Sequence, residues 1–330
     1  MDKISVGRLA KTIPTEAAAY EFLERLRWDG KPVCPHCGES ERVYFLTPKN
    51  GSSRATRTGS MSERRVWKCG NRGGENPCGK QFSVLTNTVM HGSKVPVRTW
   101  LFVLFEMVSS KNGVSAREVE RKYDLTPKTA WFLCHRIREA MREDGPGLMA
   151  GVVVADETFV GGKEHNKHAH KRMPKGTARG GAGKTPVVSL IETRSGIARS
   201  VVVPNVTGST LSAVIRSNVD MSQSILMTDE RRGYQPIGRR FAAHEVVNHG
   251  EGEYVRGTAT TNHAEGFFSQ LKRSIDGTHH HVSTVHLQRY LNEFDFRYST
   301  RKMSDTDRLA VLVGRVGGRR LSYRPLTAAG

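Results

Sequence analysis

No stretch of the sequence approaches the roughly 20 consecutive apolar residues that a membrane-spanning helix requires. The most apolar windows, such as Trp100 to Val108, are shorter and interrupted by charge. Met1-Asp2-Lys3-Ile4 shows none of the charged head, apolar core and small-residue cleavage site of a secretory signal, so a cytoplasmic protein is expected. Cysteine is scarce, five in 330 residues. Cys34, Cys37, Cys69 and Cys78 gather toward one end, which in a reducing compartment points to metal rather than disulfides. Acidic side chains are also in short supply, 32 against 51 Lys and Arg, for a formal net charge of +19. An apolar content of 37% is too high for a disordered polycation, so this is a folded basic protein of two or three domains. The surplus is spread over both halves, which suits several modules following a polyanion, because each neutralised phosphate releases counterions. Nucleic acid is the first partner to test, with an anionic membrane surface as the rival. There is no internal repeat.

What is present changes grammar along the chain. Residues 15–26 read as a short amphipathic packing helix with Tyr20, Leu23 and Leu26 near one face, and residues 47–65 as a basic loop. From Pro96, Trp100, Leu101, Leu104, Phe105 and Val108 recur at helical spacing. Asn112-Gly113 breaks that helix, Ser115-Ala116-Arg117-Glu118 starts another as a capping box, and Thr126-Pro127 caps a third. Helix, short turn and helix is the order of a helix-turn-helix, with Val119, Leu125, Ala130, Leu133 and Ile137 as a shared core. Lys128, Thr129, Arg136 and Arg138 are then the candidates to face DNA. Taken alone, such a helical pair more often serves plain packing than base reading, and the basic surplus raises the odds of the DNA reading.

After Gly145-Pro146-Gly147 the pattern turns to strands at 151–154, 186–191, 197–203 and 224–227. A helix at 209–218 precedes the last strand, and helices at 262–275 and 285–301 follow it. A mixed sheet with helices on its faces is the economical α/β arrangement. Between the first two strands, residues 161–185 hold seven Lys or Arg, one Glu and three His among glycines, a composition that cannot build a core.

Cys34-Pro35-His36-Cys37 is a knuckle whose thiolates can reach one tetrahedral zinc, and Cys69 with Cys78 would supply the other two ligands. Eight residues separate that second pair instead of two, which leaves His36 or His91 open as a substitute ligand. Cys134, mid-helix among apolar residues, reads as a small core side chain. The acidic set comes next. Asp156 follows the strand Val152-Val153-Val154-Ala155, Asp229 follows Ile225-Leu226-Met227-Thr228, and Glu265 sits in the first turn of the helix begun at Asn262. A carboxylate at the end of a buried strand needs a cationic partner, and two adjacent strand ends with a helical Glu over them could share hard divalent cations. Lys272 lies seven residues beyond Glu265, close to two helical turns, and so shares its face. Glu157 should point to the opposite face of its strand and is left out of the site. Asn262 reads as a helix cap, His263 is open, and the run His279-His280-His281 reads as exposed rather than metal-binding.

Taken in order, Cys34-Pro35-His36-Cys37, Gly79-Lys80-Gln81-Phe82-Ser83-Val84, Gly113-Val114-Ser115, Lys128-Thr129-Ala130-Trp131 and His135-Arg136-Ile137-Arg138 resemble the front of IS1595-type insertion-sequence transposases. Asp156-Glu157-Thr158, Gly161-Gly162-Lys163, Thr228-Asp229, Asn262-His263-Ala264-Glu265, Leu271-Lys272-Arg273 and Gly277-Thr278-His279-His280 are similar to their ISXO2-like catalytic domain. The resemblance runs from about residue 15 to 300.

It implies an RNase H-like fold, a DDE triad at Asp156, Asp229 and Glu265 with an accessory Lys272, and the use of Mg²⁺ or Mn²⁺ beside a structural Zn²⁺. It also implies binding to double-stranded DNA at the inverted repeats of the element, 3′-end cleavage and strand transfer, by a homodimer or higher oligomer in a bacterial nucleoid. The expected organisation is an N-terminal helix at 1–30, a zinc ribbon at 31–92, a helix-turn-helix at 93–147, the catalytic domain at 148–305 and a basic tail at 306–330. Lys163, Lys167, Lys171, Arg172, Lys175, Arg179, Lys184 and Arg273 are assigned to DNA phosphates. A DNA-binding regulator with an inactive catalytic domain, or a nuclease that cuts without joining, would share most of these features.

Overall fold

The computed structural model describes residues 4–46, 54–55, 61–62, 64–73, 77–143, 147–162, 168, 170, 172, 181, 183–247, 255–256, 259–260 and 262–328. The chain divides into two compact units, one of residues 1–110, 116–141 and 303–330, the other of 111–115 and 142–302. Among the described residues no helix is long and apolar enough to cross a membrane.

In the first unit α1 (Val6–Thr12) and α2 (Glu16–Trp28) are started by Ser5 and Thr15, whose hydroxyls accept from the N–H groups of Arg8 and Ala18. The strands β1 (Val43–Phe45), β2 (Arg54–Ala55), β3 (Met61–Ser62), β4 (Trp67–Cys69) and β5 (Gln81–Phe82) follow, with β1, β4 and β5 forming an antiparallel sheet and β2 pairing β3. Helix α3 (Val97–Ser109) buries Trp100, Leu101, Leu104, Phe105 and Val108, the residues whose spacing predicts it. Helices α4 (Ala116–Lys122) and α5 (Pro127–Met141) are joined through Asp124, which holds a left-handed φ of 49° that Asp tolerates better than most side chains. Val119, Ala130, Leu133, Cys134 and Ile137 are buried.

The second unit is built on a five-stranded mixed sheet made of β6 (Met149–Val160), β7 (Thr185–Glu192), β8 (Ala198–Val202), β9 (Val219–Asp229) and β10 (Ala243–Val247). Their spatial order is β10-β9-β6-β7-β8: the first three in sequence run as an antiparallel meander, and β9 and β10 are parallel to β6. Helix α6 (Gly208–Asn218) connects β8 to β9, and a short helix α7 (Gln235–Gly238) connects β9 to β10. Beyond β10 come the two-residue strands β11 (Val255–Arg256) and β12 (Ala259–Thr260), then α8 (Asn262–Ser274), a π-helical turn Ile275–His279, and α9 (Thr284–Ser299). Alternation along β6 sends Val154 into one core with Phe267, Leu271, Leu287 and Phe294 of α8 and α9. It sends Val153 and Ala155 into another with Leu211, Ile215, Tyr234 and Ile237.

Three expectations change. Strand β6 runs on through Asp156 to Val160, because β7 pairs with it to the end although β9 stops pairing at Val154. Strand β10 was not expected. The segment read as a basic tail from 306 is instead packed: α10 (Asp305–Gly314) buries Leu309, Leu312 and Val313, and α11 (Tyr323–Ala328) follows it. The Val89 N–H donates to the Val316 carbonyl and Arg308 to that of Val108, which ties the segment into the first unit.

Candidate active site

Parallel pairing of β6 with β9 sets Val154 beside Met227. Two residues further along each strand, just beyond the last residues paired between them, come Asp156 and Asp229, on neighbouring strands and on the face that shares its core with α8. On that helix Ala264, Phe267, Phe268 and Leu271 enter the core shared with Val154 and Met227, which holds the helix down, while Glu265 and Lys272 stay exposed. Burial pushes the Asp156 carboxyl up to about 7, against the pull of the Glu157 N–H at 2.7 Å, and the charges of Glu157, Asp229 and Glu265 push it further. Burial also raises Asp229, opposed by the Arg231 N–H at 3.1 Å. A half-buried carboxyl with other acids near it is eased by a cation, and oxygen donors of this kind suit Mg²⁺ or Mn²⁺. The acids are spread more widely than a closed single-ion shell, since among the described residues only the four cysteines bring three or more such ligand atoms within 4.8 Å of one another.

Glu157 faces the other way, as alternation requires. Its carboxylate accepts from Arg231 and, at 2.6 Å, from the hydroxyl of the fully buried Tyr234. Burial, then the Glu157 charge, raises the Tyr234 pKa, so the phenol stays a donor. The two bonds fasten the chain just beyond Asp229 to the strand that carries Asp156. Thr228, one residue before Asp229, meets His244 Nε2 of β10 at 2.9 Å. Sequence reasoning set Glu157 aside for a correct geometric reason and so missed it as a support; the Asp-Glu doublet on one strand was the available signal.

The cysteines form the second site. Cys34 Sγ lies 3.8 Å from Cys78 Sγ, and Cys37 Sγ 3.6 Å from Cys69 Sγ. Four sulfurs about 2.3 Å from a tetrahedral zinc stand about 3.8 Å apart, so these spacings fit the ion and are far too long for disulfides. The wide spacing before Cys78 is absorbed because the N–H groups of Cys78 and Gly79 both donate to the Asn71 carbonyl, at 2.8 and 3.1 Å, closing the insertion at its base. Burial pushes the Cys34 thiol up to about 12, so a set of thiolates here requires a cation. His91 uses Nδ1 to accept from the Asn87 N–H instead of joining the set. Trp28 and Trp67 pack on the cluster, and Glu24 of α2 accepts from Trp67 Nε1 at 2.9 Å.

The candidate DNA contacts divide. Lys128 is exposed and Thr129 half-buried, its N–H donating to Thr126 Oγ1 at 3.2 Å. Arg136 and Arg138 are buried at 5% and 0% exposure, a correction to their expected outward placement: their positions on α5 lie between Leu133, Ile137 and Ala140 on the packed side. Arg172, Arg273 and Lys272 are exposed, and Lys184 is half-buried. Lys163, Lys167, Lys171, Lys175 and Arg179 lie outside the described residues.

Two family models match the chain: the ISXO2-like transposase domain over residues 148–299 and the transposase zinc-ribbon domain over residues 14–81. The second match starts earlier than the expected ribbon and takes in α2, whose Glu24 and Trp28 pack against it. A protein of Halobacterium salinarum described as an uncharacterized protein in transposable element ISH50 is 27% identical over 294 residues, covering 87% of this chain and 92% of that protein. A solved structure of the simian T-cell lymphotropic virus intasome with a PP2A regulatory subunit, B56 gamma, aligns at 10% identity with a TM-score of 0.22. That alignment covers 59% of this chain and 60% of the other, and it carries no weight for the fold.

Proposed function

Because the chain belongs to the IS1595-type insertion-sequence transposases, we propose that it binds the terminal inverted repeats of its element and cleaves and joins DNA strands. The charges of Asp229 and Glu265 acting on the half-buried Asp156, inside the stretch that matches the ISXO2-like domain, carry this reading. The sheet order, with three antiparallel strands continued by two parallel ones, supports an RNase H-like catalytic fold. Asp156, Asp229 and Glu265 are the residues that would hold Mg²⁺ or Mn²⁺, which when bound activates the attacking oxygen and stabilises the leaving one in an in-line displacement at phosphorus. Glu157, through Arg231 and Tyr234, keeps Asp229 beside Asp156. Lys272, exposed on the same helix as Glu265, would touch a phosphate of the strand being cut.

The four cysteines hold a structural zinc that shapes the ribbon. Helices α4 and α5 form the helix-turn-helix, presenting Lys128 and Thr129 to double-stranded DNA, while Arg172, Lys184, Arg273 and the basic segment 163–182 contact backbone phosphates. Two element ends must be brought together, so the working form is a homodimer or higher oligomer.

The test is a strand-transfer assay with purified protein, Mg²⁺ or Mn²⁺, a labelled duplex carrying the terminal repeat and a supercoiled target plasmid. Joined products from the wild type, absent with Asp229→Asn, are expected. Cleavage without joining would make the protein a nuclease, and end binding without either reaction a regulator.

A further inference from the structure

Within the first unit a cavity of about 260 Å³ opens beside α5, lined by Trp100, Lys128, Thr129, Phe132, Arg136 and Tyr323 among others. Its chemistry is lopsided. Arg136 is 5% exposed, and its guanidinium lies 5.2 Å from the Trp100 ring centre and 5.3 Å from that of Phe132. One Nη donates to the His91 carbonyl at 2.6 Å, but the buried Nε has no hydrogen-bond partner. No carboxylate pairs with this cation among the described residues. The charged groups that bear on it are cations: Arg320 acts on it with its own sign, Lys128 stands over the Tyr323 ring at 4.4 Å, and Lys94 also lines the cavity. Lys128 and Thr129, in the first turn of the 15-residue α5, line the same space. A buried, uncompensated guanidinium with a free donor is costly unless an anion completes it.

We propose that this cavity is a phosphate seat, holding one backbone phosphate of bound DNA against Arg136 with Lys128 and Thr129 at its rim. The proposal rests on the DNA-binding reading above and deepens it. Arg136 then contacts DNA by receiving a phosphate into the protein rather than by reaching outward, and Trp100 and Phe132 keep water from the pair, which strengthens it. A phosphate held this way fixes register and orientation on the duplex and carries no sequence preference.

Full-length protein is tested in two arms. In the first, affinity for the terminal-repeat duplex and for an unrelated duplex is measured across a salt series for wild type, Arg136→Met and Lys128→Ala. Loss of one phosphate contact should flatten the slope of log affinity against log salt by about 0.9, equally on both duplexes. Arg136→Met keeps an unbranched apolar stem between the rings, and Lys128→Ala changes an exposed side chain, so at least one variant stays folded. In the second arm, inorganic phosphate at constant ionic strength should raise the melting temperature of the wild type and not of Arg136→Met. Unchanged slopes in folded variants, together with no phosphate effect on melting, overturn the seat. A melting shift with unchanged slopes assigns the cavity to free phosphate and overturns DNA as the source. A wild type that binds no DNA at all sinks the functional reading, and the melting arm alone then decides whether the cavity takes phosphate.

Discussion

Asp156 and Glu157 are chain neighbours that serve different cores, since alternation along β6 turns one toward α8 and the other toward Tyr234. Two different mutant phenotypes follow. Asp229→Asn should abolish cleavage and joining while leaving end binding within twofold, measured by gel shift beside the transfer assay. Glu157→Gln weakens the charged acceptor of Arg231 and Tyr234; it should cost about 1–2 kcal/mol in denaturant unfolding and lower turnover more than end binding. A third residue sets a pH dependence. Burial pushes the Asp295 carboxyl up to about 7, although the N–H and hydroxyl of Ser200 donate to it at 2.7 and 2.8 Å; nearby Glu143 adds to the shift and Arg199 opposes it. An unfolded Asp ionises near 3.9. The folded protein therefore holds a proton the unfolded chain has lost, and this contribution to stability declines as pH rises from about 4 to 7, then stays flat. Asp295→Asn should remove that decline, seen as a smaller fall in melting temperature between pH 5 and 8. At this scale the placement of Asp156 and Asp229 on neighbouring apolar strands was legible, because carboxylates that follow buried strand residues stand out. Arg136 and Arg138 were not, because charge alone says nothing about which side of an amphipathic helix a residue occupies.

Elements with a strong period were read within a few residues: α3, α6, α8 and α9 all lie where apolar spacing puts them. Strand β10 escaped because Ala243-His244-Glu245-Val246-Val247 shows no alternation; it pairs on one side only, and four of its five residues are half-buried. Yet it carries His244, whose ring would lie 2.1 Å from a Cβ placed on Gly238. Gly238→Ala should therefore push β10 off Thr228, costing roughly 1–3 kcal/mol in urea unfolding, typical of overpacking. All four cysteines were named from the sequence, but the wide spacing of Cys69 and Cys78 left the fourth ligand open, because that spacing is closed by a backbone carbonyl, that of Asn71, which no side-chain pattern announces. Removing one ligand with Cys37→Ser should take bound zinc from about one per chain to a small fraction by elemental analysis. Loss of the ribbon's unfolding transition should accompany it, because a three-ligand site holds zinc poorly and the metal supplies folding energy directly.

Composition predicted a polyanion-following protein with more than one module, and two units are found, each carrying exposed basic side chains. The change from helical to strand grammar near residue 147 falls where the second unit's sheet begins. The closure of the first unit was not legible, because Arg315, Arg319, Arg320 and Arg324 gave the last residues the look of a solvated tail while Leu309, Leu312 and Val313 lay just before them. Truncation after Lys302 should thus behave as a core deletion: the first unit should lose cooperative melting and end binding, and restoring only the net charge with an appended Lys-Arg tail should not rescue it.

The return of α10 to the first unit also has a meaning in time. During translation the segments up to Met141 emerge first, yet the surface against which they finish packing is encoded beyond Lys302. At about 5–20 residues per second, the intervening stretch of roughly 160 residues takes the ribosome about 8–32 s. For that interval the nascent chain has its ribbon and helices but not their last supporting helix. A message broken inside the gene would yield a polypeptide whose first unit lacks α10 and α11, the part of that unit encoded last.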